Sequence, residues 1–188
     1  MNSIIKNEKS YCRLKGEIFA KLVEGEVSDA RKMCLDSPDF NESNIIVDVA
    51  SDLIAEWAFT GSISLVNEHV PGILVLAVGT GAVGWDLQNP PAETASQTLL
   101  ENELTRKTFS SKTYVDISGN PTVTRTNIID FTTTYLEAEA VGPLVEMGLF
   151  GGTGATSTNG GSMVNYKTMA VLNKPSTSKL VVVWRLTF

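Results

Sequence analysis

The stretch ILVLAVGTGAVGW, residues 73–85, decides between two folds. Apolar residues from Ile73 to Val78 read as a buried strand and run straight into Gly79, Gly81 and Gly84, which spell G-x-G-x-x-G, the letters of the dinucleotide-binding turn. In that turn a helix opens at once, so that its amide groups and dipole face a pyrophosphate while the third glycine lets helix and sheet pack closely. Here the chain continues Trp85-Asp86-Leu87-Gln88-Asn89-Pro90-Pro91. The two prolines remove backbone donors and push the residues before them out of the helical region. Glu101 and Glu103 stand about 20 positions on, where an acid for a ribose hydroxyl would be needed. Both fall in a segment with helical patterning, not at the end of a second parallel strand. The stretch is therefore a strand closed by a glycine turn, and a doubly wound nucleotide fold loses its main support.

From residue 73 the period is two, and downstream of the prolines ETASQTLLENELTRK predicts one helical interruption, an inserted helix over residues 93–107. Residues 109–117 and 122–137 are threonine-rich and β-branched, and the SGNP turn signal between them predicts a hairpin. Ile129, Phe131, Thr133 and Tyr135 share one face of its second arm. Val145, Met147 and Leu149 then alternate with Glu146 and Gly148. GGTGATSTNGG, residues 151–161, follows. It reads as a long flexible hairpin loop, or as a contact loop that orders on assembly. A Walker-type phosphate loop is excluded, because Ser162-Met163-Val164 follow and no lysine comes before Lys167. The end of the sequence, KLVVVWRLTF, has Leu180, Val182, Trp184, Leu186 and Phe188 on one side and Val181, Val183, Arg185 and Thr187 on the other. A strand apolar on both sides is central in its sheet or covered by another subunit.

Upstream the spacing is helical. Tyr11, Leu14, Ile18 and Leu22 form one stripe, and Val27, Ala30 and Cys34 a shorter one. Ile46, Val49, Ala50, Leu53 and Trp57 predict a third helix, with Asn44 as its N-cap and Gly61 as its stop. The expected fold is mainly β: an antiparallel β-sandwich with N-terminal helices and one inserted helix. Residues 1–62 form a helical segment that docks elsewhere or packs on the sandwich, and residues 63–188 form the sandwich itself.

The bulk numbers limit the chemistry. With 188 residues and 43% hydrophobic content the chain suits one domain with a sizeable core. A net charge of -6 and a pI near 4.8, with no gathered lysines and arginines, predict no nucleic-acid partner. No apolar run reaches the roughly 18 to 20 residues of a membrane span. The N-terminal stretch MNSIIKNEKSYCRLKGE has no uninterrupted apolar core of a signal peptide, so a soluble, unprocessed protein is expected. Cys12 and Cys34 read as buried free thiols, and His69, the sole histidine, as a loop residue beside Pro71. Neither set builds a metal site or a nucleophile–base pair. Asp116, Asp130, Glu137 and Glu146, read as strand residues, would have to pair for glycoside hydrolysis. Solvent-facing strand charges explain them more simply, so no catalytic, cofactor-binding or metal residue is expected, and no cofactor. Among the three tryptophans, Trp184 alternates into the core and Trp57 lies on a helix stripe, which leaves Trp85 as the one ring free to stack on a host glycan.

The order of these pieces is more telling than any one of them. NIIVDVASDLIAEWAFTG, a strand ending in LAVGTG, a proline loop, LLENELTRK, a threonine-rich hairpin, VEMGLFGG, GSMVNYKTMAVLNKP and a final LVVVWRLTF together resemble a family of small virion proteins of tailed bacteriophages. The likeness covers about residues 44–188 and rests on Gly79 to Gly81, Leu100 to Lys107, Glu146 to Phe150, Gly151 to Gly161, Lys174 and Trp184. Trp85 and the long link before ETASQ depart from the family pattern. The resemblance implies a non-enzymatic structural protein of the tail, baseplate or fibre attachment, assembled in the host cytoplasm into the virion. It would act through contacts with other virion proteins and as a homo-oligomer, a trimer or ring, without membrane. A capsid cement or head-to-tail adaptor protein, and a carbohydrate-binding module of a fibre, stand as alternatives.

Overall fold

Alternation, and not helical spacing, governs the first element. Ile18, Ala20 and Leu22 interleave with Phe19, Lys21 and Val23, which is a period of two. In the computed structural model, which describes residues 15–48, 50 and 72–188, this segment is strand β1 (Lys15–Val23). The helix expected through Tyr11, Leu14, Ile18 and Leu22 is thus corrected at Ile18 and Leu22. Tyr11 and Leu14 lie outside the described residues. Both faces of β1 are covered by apolar neighbours, and a strand buried on two sides carries an apolar set that fits either period.

The second stripe does form a helix. In α1 (Ala30–Asp36) the Asp29 side chain caps the first turn by accepting from the Lys32 amide at 2.9 Å. Cys34 is fully buried, and its thiol donates to the Phe19 carbonyl at 3.2 Å. Burial, the dominant influence, pushes that thiol up to about 12. The expected third helix is corrected at its start, because Asn44 lies on strand β2 (Phe40–Ile46) and caps nothing. Residues 49 and 51–71, with Leu53, Trp57, Gly61 and His69, lie outside the described residues, as does Cys12.

The other strands are β3 (Ile73–Gly79), β4 (Glu103–Thr108), β5 (Ser111–Tyr114), β6 (Ile128–Tyr135), β7 (Gly142–Gly151), β8 (Ser162–Lys174) and β9 (Lys179–Thr187). They form one sheet in the order β4-β3-β7-β8-β2-β1-β9-β6-β5, and every pairing among them is antiparallel. The mainly β, antiparallel expectation holds. Among the described residues the N-terminal helices are represented by the short α1 and by Asp48 and Ala50, which are helical within the third helix that was expected, and the sheet takes strands from both sides of residue 62. This single sheet is strongly curled into a half-barrel. The curl carries β6 over β3, where the Tyr135 hydroxyl donates to the Leu76 carbonyl at 2.7 Å. Between β2 and β8 the ladder is short, with only Ile45 and Ile46 paired to Tyr166 and Asn165.

The inserted helix over 93–107 is replaced by turns and then by β4. Residues 105–108 pair with 75–78 of β3, and the Glu101 and Asn102 amides donate to a side chain on β7, so a helix would forfeit all of those bonds. Tertiary pairing here overrides good local helix propensity. The expected hairpin is present as β5 on β6, with arms shorter than the sequence suggested and residues 115–127 as the connection. SGNP turns within that connection.

Three apolar clusters follow from the curl. Leu180, Val182, Trp184 and Leu186 of β9 meet Leu76, Val78, Met147 and Leu149 inside the curve, with Phe131 and Tyr135. Ile129 packs against that cluster, so the face read on β6 is the inner one. On the outer side, Val181 and Val183 lie under α1 with Cys34 and Val23. Val75, Ala77, Phe150 and Tyr166 lie under Leu100, Ala155 and Val47. The last strand is therefore central, as its two apolar sides require, and its outer side is covered by the chain's own helix. Each fully buried large aliphatic side chain contributes about 1.5–3 kcal/mol by leaving water.

At the middle of the inner face, Trp184 needs an acceptor for its indole N–H. Asn44 supplies it. With its amide assigned so that the oxygen faces these donors, it accepts from Trp184 Nε1 and from Asn165 Nδ2 at 3.3 Å, while its nitrogen donates to the Gly16 carbonyl at 3.1 Å. Asn44 fits only because residue 16 has no side chain, since a Cβ there would stand 1.8 Å from the amide. Gly16→Ala is expected to cost about 1–3 kcal/mol through overpacking, read as a lower urea midpoint at unchanged slope. In the Cys12→Ser variant, Cys34 should stay inert to a thiol reagent at pH 8 while the protein is folded and react at once in denaturant.

Candidate functional site

Glu146 sits on β7 opposite Gly79 and has no solvent exposure. A carboxylate in that position must collect hydrogen-bond donors to offset its lost hydration. It collects four. Oε1 accepts from the Gly81 amide at 3.1 Å and the Asn102 amide at 2.8 Å. Oε2 accepts from the Glu101 amide at 2.9 Å and the Tyr166 hydroxyl at 2.9 Å. Burial first, and then the Glu146 charge, push the Tyr166 phenol far above its ordinary value, so it remains a donor. One side chain thereby fixes the glycine turn after β3, the loop before β4 and the middle of β8.

Trp85 is seated on that turn. Gly81 has a φ of +71°, and a Cβ on it would lie 2.4 Å from Cε3 of the indole, so the residue must be glycine for both its backbone and its packing. Gly79, Gly81 and Gly84 are followed by a turn and by extended chain, with no helix, as the prolines demand. The chain from Trp85 to Glu101 then walls a solvent-facing cleft of about 280 Å³. Trp85, Pro91 and Ala92 make its apolar side, Tyr166 its floor, and Thr94, Gln97, Glu101 and Thr168 its polar groups. The proline wall is tied down where Thr168 Oγ1 donates to the Pro91 carbonyl at 2.8 Å and Lys167 Nζ meets Glu93 at 3.1 Å and Glu42 at 2.7 Å. Gln97 Nε2 donates to the Leu99 carbonyl at 2.7 Å and to Glu101 Oε1 at 3.0 Å.

The remaining buried ionic groups are fasteners too. Asp130 on β6 is fully buried between Arg185 of β9, which donates at 2.7 and 2.9 Å, and Arg31 of α1, whose Nε donates at 2.8 Å. Arg31 also reaches the Gly119 carbonyl at 2.8 Å, which joins the helix, the sheet and the 115–127 connection. On β4, Arg106 pairs with Glu103, lies 4.5 Å from the centre of the Phe150 ring, and donates to the Ala155 and Gly160 carbonyls at 2.6 and 2.8 Å. The glycine-rich loop is thus a hairpin loop whose shape is set within the chain, with Ala155 buried beneath it. Lys174 Nζ is caged by the carbonyls of Glu137, Pro175 and Ser178, and burial lowers its pKa.

The four acids weighed for glycoside hydrolysis do not converge. Asp130 and Glu146 sit on different strands, each saturated by its own partners. Asp116 and Glu137, read as strand residues, lie in turns instead. Asp116 accepts from the amides of Ser118 and Asn120, and hydrogen bonding led by the Asn120 amide lowers its pKa. Glu137 faces Lys179 at 3.4 Å. Nor are Asp130 and Glu146 the solvent-facing strand charges that the sequence suggested. Among the described residues no group of His, Cys, Asp and Glu could hold a metal ion, and no helix is long and apolar enough to cross a membrane. No family model matches the chain, and no curated protein matches it in sequence.

Sequence reasoning singled out Trp85 as the free ring, and it lines the cleft. The roles of Thr94, Gln97 and Glu101 were hidden by the helix expected over them. Their only advance signal was the Pro90–Pro91 pair, which fixes an extended wall. Glu146→Ala should leave four donors unpaired and lower stability by at least about 3 kcal/mol in urea unfolding, with Glu146→Gln intermediate because its amide nitrogen faces donors.

Proposed function

We propose that this chain is a non-enzymatic structural protein of a bacteriophage virion, in the tail, baseplate or fibre-attachment region. It acts through contacts with other virion proteins in a symmetric assembly, a trimer or ring, and reaches the particle from the host cytoplasm. The observation that carries this reading is the fate of its buried charges. Asp130, Glu146, Glu103, Arg106 and Lys174 all fasten loops or a helix to the sheet, which leaves no converged acid–base pair among the described residues and gives a body with shaped edges. The curled sheet serves in this proposal as a sandwich whose halves are joined through β2.

Two further features support it. Val83, Ile117 and Val123 stand almost wholly exposed at turns, where neighbouring subunits would cover them. The motif order that resembles phage virion proteins falls on residues that hold the loops and core in place: Gly79 to Gly81, Glu146, Arg106, the glycine loop, Lys174 and Trp184. Symmetry multiplies weak contacts from one short chain, so modest apolar turns suffice. Light scattering behind size exclusion should give at least three times 20.3 kDa. A monomer that persists at about 100 μM, well above a micromolar dissociation constant, would remove the symmetric assembly. Microscopy of purified particles should then place the density at the tail, and density on the capsid shell would overturn that location.

A further inference from the structure

The cleft beside Trp85 combines features that no role in assembly requires, and we propose that it binds one neutral pyranose unit of a glycan. A pyranose ring offers a flat C–H face to an aromatic side chain and hydroxyl groups around its edge. The cleft answers both. Trp85 is partly exposed, and its indole is fixed before any ligand arrives, because it rests on Gly81 and the turn below is held by Glu146. Little ordering is left to oppose binding. On the polar side the groups are mainly acceptors. Glu101 is exposed, with Oε1 engaged by Gln97 and, among the described residues, Oε2 accepting nothing. A carboxylate so placed accepts charge-assisted bonds from neighbouring sugar hydroxyls. Thr94 adds a hydroxyl.

Charge chooses among sugars. Glu101 lines the cleft, and the lysine next to the lining Thr168, Lys167, is already engaged by Glu42 and Glu93. A sialic acid, a uronic acid or a phosphorylated sugar would meet unpaired negative charge there. The size of about 280 Å³ suits one ring and its hydroxyls, not a long chain. With one stacking ring, affinity for a monosaccharide should be weak, on the order of 1 mM.

The test uses the full chain labelled with 15N, titrated separately with the methyl glycosides of glucose, galactose and mannose and with N-acetylglucosamine. The Trp85 indole resonance, assigned with Trp85→Phe, should shift saturably with at least one of them. Trp85→Ala should abolish the response. Glu101→Gln should weaken it about tenfold while leaving the fold intact, because the exposed Glu101 side chain, unlike its amide, gives nothing to Glu146. Three results would overturn the proposal: no saturable shift with any of the four sugars up to about 100 mM, roughly a hundred times the expected constant; undiminished binding in Trp85→Ala; or tighter binding of sialyllactose than of its neutral counterpart. The site does not depend on the assembly, so a monomer that binds sugar keeps this inference and defeats the symmetric one, and a silent trimer does the reverse.

Discussion

A carboxylate with no water around it must be given donors by the protein, and most of this molecule's loop structure follows from meeting that demand. Glu146 points out of the curled sheet where a plain sheet would carry an apolar residue. The chain brings three backbone amides and a phenol to it from three separate segments. Breaking any of those segments away would strand either the charge or its donors, at a cost of several kcal/mol. Asp130 does the same on the other half of the sheet with two arginines, and Lys174 does it with the sign reversed, holding three carbonyls. The loops are thus built by side chains from strands and depend little on local propensity.

This division of labour explains how a sheet so apolar on both faces is covered largely by irregular chain beside the short helix α1, among the described residues. The inner faces cover one another through the curl, as Trp184, Leu149 and Tyr135 record. The outer faces need separate cover. One comes from α1 over Val181 and Val183, and the other from irregular chain: Leu100 ahead of β4 and Ala155 in the glycine loop. Irregular chain is a poor roof unless its backbone groups are paired and its position is fixed. Glu146 and Arg106 supply both conditions, so the ionic groups and the apolar cluster beneath them stabilise one another and cannot be removed separately without coupling.

The legibility of the sequence divides along the same line. Where one apolar face was enough, alternation was sufficient evidence: the faces of Ile129, Phe131 and Tyr135, of Met147 and Leu149, and the two-sided final strand all stand where the spacing put them. Two kinds of segment misled. In β1, burial on both sides gave Ile18 and Leu22 a spacing that suits a helix equally well. In residues 93–107 a good helix former lost to partners more than forty residues away, since Glu146 takes the amides of Glu101 and Asn102. No local window contains that information. Asn44 failed as a cap for a similar reason, because its amide answers Trp184, at the far end of the chain.

The glycine turn that opened the question of fold shows how closely a false motif can follow a real one. In a dinucleotide fold the amide of the second glycine faces a bound pyrophosphate, and the helix behind it adds its dipole. Here the amide of Gly81 also faces an anion, but that anion is Glu146, carried by the neighbouring strand and covalently part of the chain. The same backbone shape is selected, a positive φ and no Cβ, for the same electrostatic reason, concave amides around negative charge. Because the position is already filled, no helix is needed behind it, and the prolines that forbid one are free to run outward as the wall of the cleft. The internal carboxylate therefore both rules out the nucleotide and fixes the turn on which Trp85 is seated. Whatever occupies the cleft, its aromatic platform rests on a turn held by a fully buried carboxylate of the neighbouring strand.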